Sequence, residues 1–307
     1  MKLFIKNLLG LSLLFLIVLV AFEFIMLLVP NRYSYKYKYV KEHLDDIEFL
    51  FLGNCHIEDA VNPRYIGERT FNTAISGREI IYDVELAKRF VSQMQNLKVV
   101  LIQLDYRDFG FGREQANPRD HKIHGGHEST FKCMYTKYMD MRVDGLWYWS
   151  EILNSDLNYK YRIWLSKEDQ IECDSLGFVC LKEINKNKVW EYWDLPRIYD
   201  VSKELSKGKY ETLYNQYATI AQLTCSKGVK LILLSTPMYK TYREDMVPKV
   251  REEMKIFVSK LEYKYPNVEY YDFMDDTRFQ PNDFYDASHL SESGSKKFSL
   301  IIKDILL

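Results

Sequence analysis

Residues 47–56 read IEFLFLGNCH: an apolar run, Ile47–Leu52, stopped by Gly53 and followed at once by Asn54-Cys55-His56. A short apolar run ended by glycine reads as a buried strand whose exit delivers polar side chains. Working outward, Val99–Leu104 (VVLIQL) and Lys230–Leu234 (KLILL) repeat the pattern, the second closing at Thr236-Pro237. Their continuous apolar and β-branched content marks strands buried on both faces. Phe71–Ala74, closed by Ser76-Gly77, and Val268–Tyr271 are shorter strand candidates. Between them lie segments of helical spacing. Glu79–Gln95 sets Ile80, Val84, Ala87, Val91 and Met94 on one side, and Lys209–Lys227 ends at Gly228. Met246–Tyr265 follows, then Ser291–Leu306 with Ser291 as N-cap and Phe298, Ile301, Ile302 and Ile305 as its apolar face.

Buried strands alternating with helices predict an α/β fold, a doubly wound parallel sheet in a flavodoxin-like three-layer arrangement. Ligands in such sheets bind at the carboxyl ends of the strands, so the residues just after each strand are the ones to read for chemistry.

The composition agrees with a folded body. The 307 residues are 47% hydrophobic, 28% charged and 15% aromatic, with only 13 Gly and 8 Pro, which excludes disorder and collagen-like repeats. With 42 Lys+Arg against 43 Asp+Glu there is no surplus of cations to neutralise phosphates, so nucleic acid is not an expected partner. Five cysteines (55, 133, 173, 180, 225) form no C-x-x-C metal pattern. Cys173 and Cys180 could pair in an oxidising compartment, and Cys133 and Cys225 read as small core residues.

The N-terminus has a different solvent in view. After a short tail, 1–7, residues 8–29 are nearly all apolar apart from Gly10, Ser12 and Glu23. As a helix these residues span about 33 Å, enough for a hydrocarbon core of about 30 Å. No small residues after Phe22 suit a cleavage site, so an uncleaved anchor is expected, with Glu23 reaching toward the headgroups. Residues 30–45, rich in Tyr and Lys, read as a connector along the membrane surface, and 46–307 as the α/β domain. Counted naively, the basic residues point the wrong way for an exported C-terminal domain, since Lys2 and Lys6 precede the span while Arg32, Lys36, Lys38 and Lys41 follow it, but a short N-tail with two Lys still resembles a signal-anchor start. Residues 107–208 interrupt the strand–helix rhythm and hold all five Trp (147, 149, 164, 190, 193), an aromatic, mostly helical insertion that reads as a core or as a surface for stacking sugar rings.

The strand exits, in order, are Gly53-Asn54-Cys55-His56, Ser76-Gly77, Asp105-Tyr106, Ser235-Thr236 and, late in the chain, Asp286-Ala287-Ser288-His289. The first and last carry the chemistry. A glycine before Cys55 permits a sharp strand-to-helix turn that projects a nucleophile, with backbone N–H groups near a developing oxyanion. An aspartate three residues before a histidine can orient its imidazole as a general base. Cys55 with His289 would be an activated nucleophile.

Gly53-Asn54-Cys55-His56 resembles the first block of the SGNH (GDSL-like) hydrolases, Gly-Asp/Asn-Ser with a following His in membrane-anchored members. Asp286-x-x-His289, with Leu290 and Gly294 after it, resembles their last block, which supplies the catalytic Asp and His. Gly77 matches the second-block glycine. The resemblance covers residues 45–307 apart from the insertion. It implies Cys55 as nucleophile, His289 as base, Asp286 as its orienting acid, and the N–H groups of Cys55 and Gly77 as the oxyanion hole. Asn54, His56 and Tyr106 are candidate substrate-binding residues. The chemistry needs no metal and no organic cofactor. The architecture is similar to single-anchor proteins that move acyl groups onto or off cell-surface polymers. The expected function is therefore a cell-membrane, single-pass acyl esterase or O-acyltransferase with its C-terminal domain extracytoplasmic. Its partner would be a cell-surface polysaccharide or acylated glycan, with a multi-span membrane acyltransferase as a further partner. The alternative is a catalytically degenerate glycan-binding or scaffolding protein on the same frame. Two departures from the family pattern stand out: cysteine at the serine position, and Asp105-Tyr106-Arg107-Asp108 where the third block has Gly-x-Asn-Asp.

Other candidates are weaker. His121, His124 and His127 are regularly spaced, but Gly125-Gly126 disfavours a helix and nothing completes a metal set. Gly110-Phe111-Gly112 lacks the remainder of a phosphate loop. Asp272, Asp275 and Asp276 read as strand-end and turn residues.

Overall fold

A computed structural model describes residues 1–104, 106–110, 132–141, 149–154, 172–181, 207–244, 246 and 248–307. Five strands form one parallel sheet: β1 Phe49–Leu52, β2 Thr70–Asn72, β3 Val99–Gln103, β4 Lys230–Ser235 and β5 Val268–Asp272, in the order β2-β1-β3-β4-β5. That order is a flavodoxin-like doubly wound topology. All five expected strands are present, each within two residues of its expected ends. The central strands β1 and β3 are buried along their whole length, as their apolar runs require. β5 lies at the sheet edge and is only half-buried, and its Glu269 meets Lys230 of β4 at 2.7 Å.

The helices follow the apolar periodicity with local adjustments. Ile80–Phe90 and Lys207–Ser226 stand where expected. The helix expected over Met246–Tyr265 runs from Pro248 to Lys264, and a short helix, Lys240–Glu244, precedes it. Proline has no N–H to donate and a preset φ, so Pro248 starts a helix and does not continue one. The final helix, Glu292–Leu306, is capped by Ser291, whose Oγ accepts from Gly294 N–H at 3.4 Å.

The chain divides into two compact units, residues 1–35 with 121–172 and residues 36–120 with 173–307. In the first, Lys2–Met26 is a helix long and apolar enough to cross a membrane. Glu23, expected to reach toward headgroups, is instead buried against protein: it accepts from Lys137 Nζ at 2.8 Å, Ser150 Oγ at 2.5 Å and the N–H groups of Glu151 and Ile152 at 3.0 and 3.1 Å. Lys137 also meets Glu151 at 2.9 Å and lies over the Trp149 ring. A carboxylate with four donors is the arrangement that makes its burial tolerable.

In the second unit the sheet carries the site. Residues 30–45, read as a connector along the membrane surface, hold the helix Arg32–Glu42, opened by the Asn31 side chain, which accepts from Ser34 N–H at 3.0 Å. Its Lys36 is fully buried and ion-paired with Glu58 at 2.9 Å. Cys173 and Cys180, which could pair in an oxidising compartment, form no disulfide, and neither do the other three cysteines. Hydrogen bonding closes that loop in its place: the Asp174 carboxylate accepts from Leu176 and Phe178 N–H groups at 2.9 and 3.0 Å, and Asp174 N–H donates to Phe178 O at 2.8 Å. Cys133 is buried as expected, while Cys225 is partly exposed. Asp272 and Asp276 cap turns, accepting from Met274 and Arg278 N–H groups, and Asp275 pairs with Arg251. His121, His124, His127, Phe111, Gly112, Asp105 and every Trp except Trp149 lie outside the described residues, as does most of 107–208.

Candidate active site

β1 ends in Gly53, whose φ of +124° is a backbone conformation that side chains resist. A Cβ there would also meet the Gln103 side chain at 3.1 Å. Two side chains pin the turn that follows. Asp83, from the helix after β2, accepts from Gly53 N–H at 3.1 Å, and Gln103, at the end of β3, accepts from Asn54 N–H at 2.8 Å. Asn54 Oδ1 then accepts from His56 N–H at 2.9 Å and caps the single-turn helix Cys55–Glu58. The oxygen of Asn54, read as a substrate contact, is thus engaged in local structure. Cys55 stands at the first position of that turn and is partly exposed.

The last block is built by a different device. Phe284 and Leu290 pair as an isolated antiparallel bridge, and Tyr285 N–H donates to His289 O at 2.8 Å, so residues 285–289 form a closed loop. Inside it Asp286 Oδ1 accepts from the N–H groups of Ser288 and His289, each at 2.8 Å. The His289 ring presents Nδ1 to both carboxylate oxygens, at 2.7 and 2.9 Å. Tyr239 N–H ties the loop to the segment after β4 through Ala287 O at 2.9 Å. At Gly294 a Cβ would collide with the Asp283 carbonyl, so only glycine lets the final helix start this close to the loop.

These two segments, more than 200 residues apart in sequence, meet. The Cys55 sulfur and a ligating nitrogen from each of His56 and His289 lie within 4.8 Å of one another. Nδ1 of His289 is taken by Asp286, which leaves Nε2 for the thiol, and Cys55 hydrogen-bonds the ring. Burial pushes the His289 pKa down, but Cys55, Asp286 and Asp59 outweigh it and the imidazole is a stronger base than usual. Burial pushes Asp286 up, but the hydrogen bonds from His289 and Ser288 hold it below the ordinary aspartate range. Ser288 Oγ adds a contact at 3.3 Å to Asp286 and 3.2 Å to His289 Nδ1.

The remaining expected residues are placed as follows. The His56 ring is buried, tilted 60° to that of His289 with centroids 5.0 Å apart, so it faces the base. Gly77 lies on the loop after β2, with φ +75°. That loop abuts the Gly53 turn, Ile75 N–H donating to Gly53 O at 3.1 Å. Tyr106 is buried at the start of the helix Tyr106–Gly110 after β3. Just before the third-block position, Leu104 N–H is committed to Leu234 O at 2.9 Å.

Four supporting residues escaped the sequence reading. Asp83 holds the Gly53 turn and pairs with Arg78 at 2.9 Å. Its signal was a carboxylate on the apolar side of a helix, three residues after Ile80 and four before Ala87. Gln103, a lone polar residue in a buried strand, was visible in the same way. Glu58 accepts from Ser76 N–H at 2.6 Å and from Lys36, whose ammonium also reaches Ala74 O, so this pair braces the loop bearing Gly77. Only contact across the fold reveals that pair. The arrangement suits acyl transfer, and the sulfur and two imidazoles also form a donor set for a soft divalent cation.

No family model matches the sequence, and no curated protein matches it. Solved structures that resemble it include a protein from Streptococcus pneumonia provisionally described as a platelet activating factor, with 14% identity, TM-score 0.44 and coverage of 95% of this chain and 99% of that one. A GDSL-like lipase from Bacteroides thetaiotaomicron shares 10% identity at TM-score 0.39, covering 89% and 98% of the two chains. A provisionally assigned acylhydrolase from Bacteroides fragilis shares 8% at TM-score 0.39, covering 87% and 93%. At these values the likenesses carry no inference about chemistry.

Proposed function

We propose that this chain is a membrane-anchored acyl esterase or O-acyltransferase acting on a cell-envelope glycan, with Cys55 as nucleophile, His289 as general base and Asp286 as its orienting acid. The observation that carries the reading is the convergence of Cys55 Sγ and a His289 nitrogen within 4.8 Å, with Asp286 2.7 Å from Nδ1 of the same ring.

In this mechanism His289 Nε2 takes the thiol proton as the sulfur attacks an ester carbonyl, and Asp286 keeps Nδ1–H in place as the ring becomes charged. The oxyanion of the tetrahedral intermediate is met by the N–H groups of Cys55 and Gly77. Collapse breaks the bond to the leaving alcohol, which takes the proton from His289 and leaves a thioester on Cys55. A water molecule or a glycan hydroxyl, deprotonated by the same imidazole, then attacks the thioester and the thiol is restored. The helix Lys2–Met26 supports a membrane tether, and in this reading the α/β domain is extracytoplasmic. For transfer rather than hydrolysis, a multi-span acyltransferase would be the acyl supplier.

The test is hydrolysis of p-nitrophenyl acetate and of an acetylated oligosaccharide by wild type, Cys55→Ala and His289→Ala. Both variants should lose at least about 100-fold in kcat. Equal rates in all three would sink the assignment and favour a binding protein on the same frame. Cys55→Ser should remain active if the site tolerates a hydroxyl, since a strong base compensates for the weaker nucleophile.

A further inference from the structure

The acyl-transfer reading uses Cys55, His289 and Asp286 and leaves two buried neighbours without a task. His56 lies beside His289, and Asp59 follows the turn Cys55–Glu58, its N–H donating to Cys55 O at 3.1 Å. The Asp59 carboxylate is buried among the same three side chains, interacting electrostatically with His289, Cys55 and His56, and its Oδ1 has no hydrogen-bond partner among the described residues. A buried polar oxygen without a hydrogen-bond partner is costly unless a positive group or a donor comes to it.

We propose that Cys55, His56 and His289 form a binding site for a thiophilic divalent cation of the zinc class, and that its occupancy switches off acyl transfer. The donors are one sulfur and two imidazole nitrogens, all within 4.8 Å of one another. A tetrahedral zinc with Zn–S of about 2.3 Å and Zn–N of about 2.0–2.1 Å sets its ligands about 3.5 Å apart, so closure by about 1 Å completes the set. Asp286 on Nδ1 of His289 is the carboxylate–imidazole arrangement that fixes a ring for ligation through its other nitrogen. Three protein ligands leave a fourth position for water. Cysteine in place of a nucleophilic serine makes the difference, because a thiolate is a strong zinc ligand and an alcohol is a poor one. The cation would occupy both the nucleophile and its base, so the inhibition, though not the binding, rests on the function proposed above.

The experiment uses the full-length chain in detergent, stripped with a chelator and kept reduced, and titrated with Co2+ and then Zn2+. The expected result is one equivalent of Co2+ with a sulfur-to-cobalt charge-transfer absorption that Zn2+ bleaches. That band should vanish in Cys55→Ser, which keeps the side-chain shape, and binding should weaken about tenfold or more in His56→Ala and in Asp286→Asn. A variant with His121, His124 and His127 all replaced by alanine should keep the band. No band in the wild type, a band that survives Cys55→Ser, or a band lost when His121, His124 and His127 are replaced would overturn the site. Hydrolysis of p-nitrophenyl acetate should fall in proportion to Zn2+ occupancy and return on chelation, and full activity at full occupancy would overturn the switch. A wild type without any hydrolysis would count against the proposed function, while the cobalt spectrum would still decide the metal site.

Discussion

At Asp286 one carboxylate bears both on stability and on the proposed chemistry. Burial raises its pKa, yet donors from His289 and Ser288 bring it below the usual aspartate range, so folding favours the ionised form. A depressed folded pKa contributes stability that is fully present above the unfolded value of about 3.9 and is lost as pH falls through the folded one. Asp286→Asn should therefore melt below wild type at neutral pH, with the gap closing in acid; a gap that stays constant down to about pH 3 would refute the linkage. His289 runs in the opposite sense. Its pKa is raised on balance, so its contribution is complete below about pH 6.5 and fades as pH rises through the folded value. The same Asn variant should lower kcat by about 100-fold or more, since Asn cannot stabilise the imidazolium.

The strand-to-helix turn at Gly53 is an element that works because three others hold it. Gly53→Ala places a Cβ at φ +124° and against Gln103, so about 1–3 kcal/mol of strain is expected, read as a lower thermal midpoint together with a lower rate. The Arg32–Glu42 helix acts on the site through a buried ion pair. Removing one partner of such a pair strands a buried charge, at a cost of about 3–5 kcal/mol. Lys36→Met should therefore destabilise strongly, and adding Glu58→Gln, which can still accept from Ser76 N–H, should recover part of the loss in a denaturant titration. If the double variant were no more stable than the single one, charge burial would not be the reason for the pairing.

For the molecule as a whole, the helix Lys2–Met26 should hold the chain in membranes against alkaline carbonate, and a chain lacking residues 2–22 should leave the pellet; full-length protein in the supernatant would remove the tether. The sheet was readable in advance because continuous burial writes itself into the chain as apolar runs. β1, β3 and β4 declared themselves in this way, and Asp286-x-x-His289 was readable because its partners are three residues apart. What stayed hidden was decided between distant segments. Lys36 looked like a surface lysine until Glu58 met it, Glu23 a headgroup-facing acid until Lys137 did, and the two halves of the site meet only once β1 and the loop after β5 converge. Periodicity records which side of an element is dry, a local property. Which charged or nucleophilic group answers another across the fold depends on strand order and loop closure, and no short window of sequence contains either.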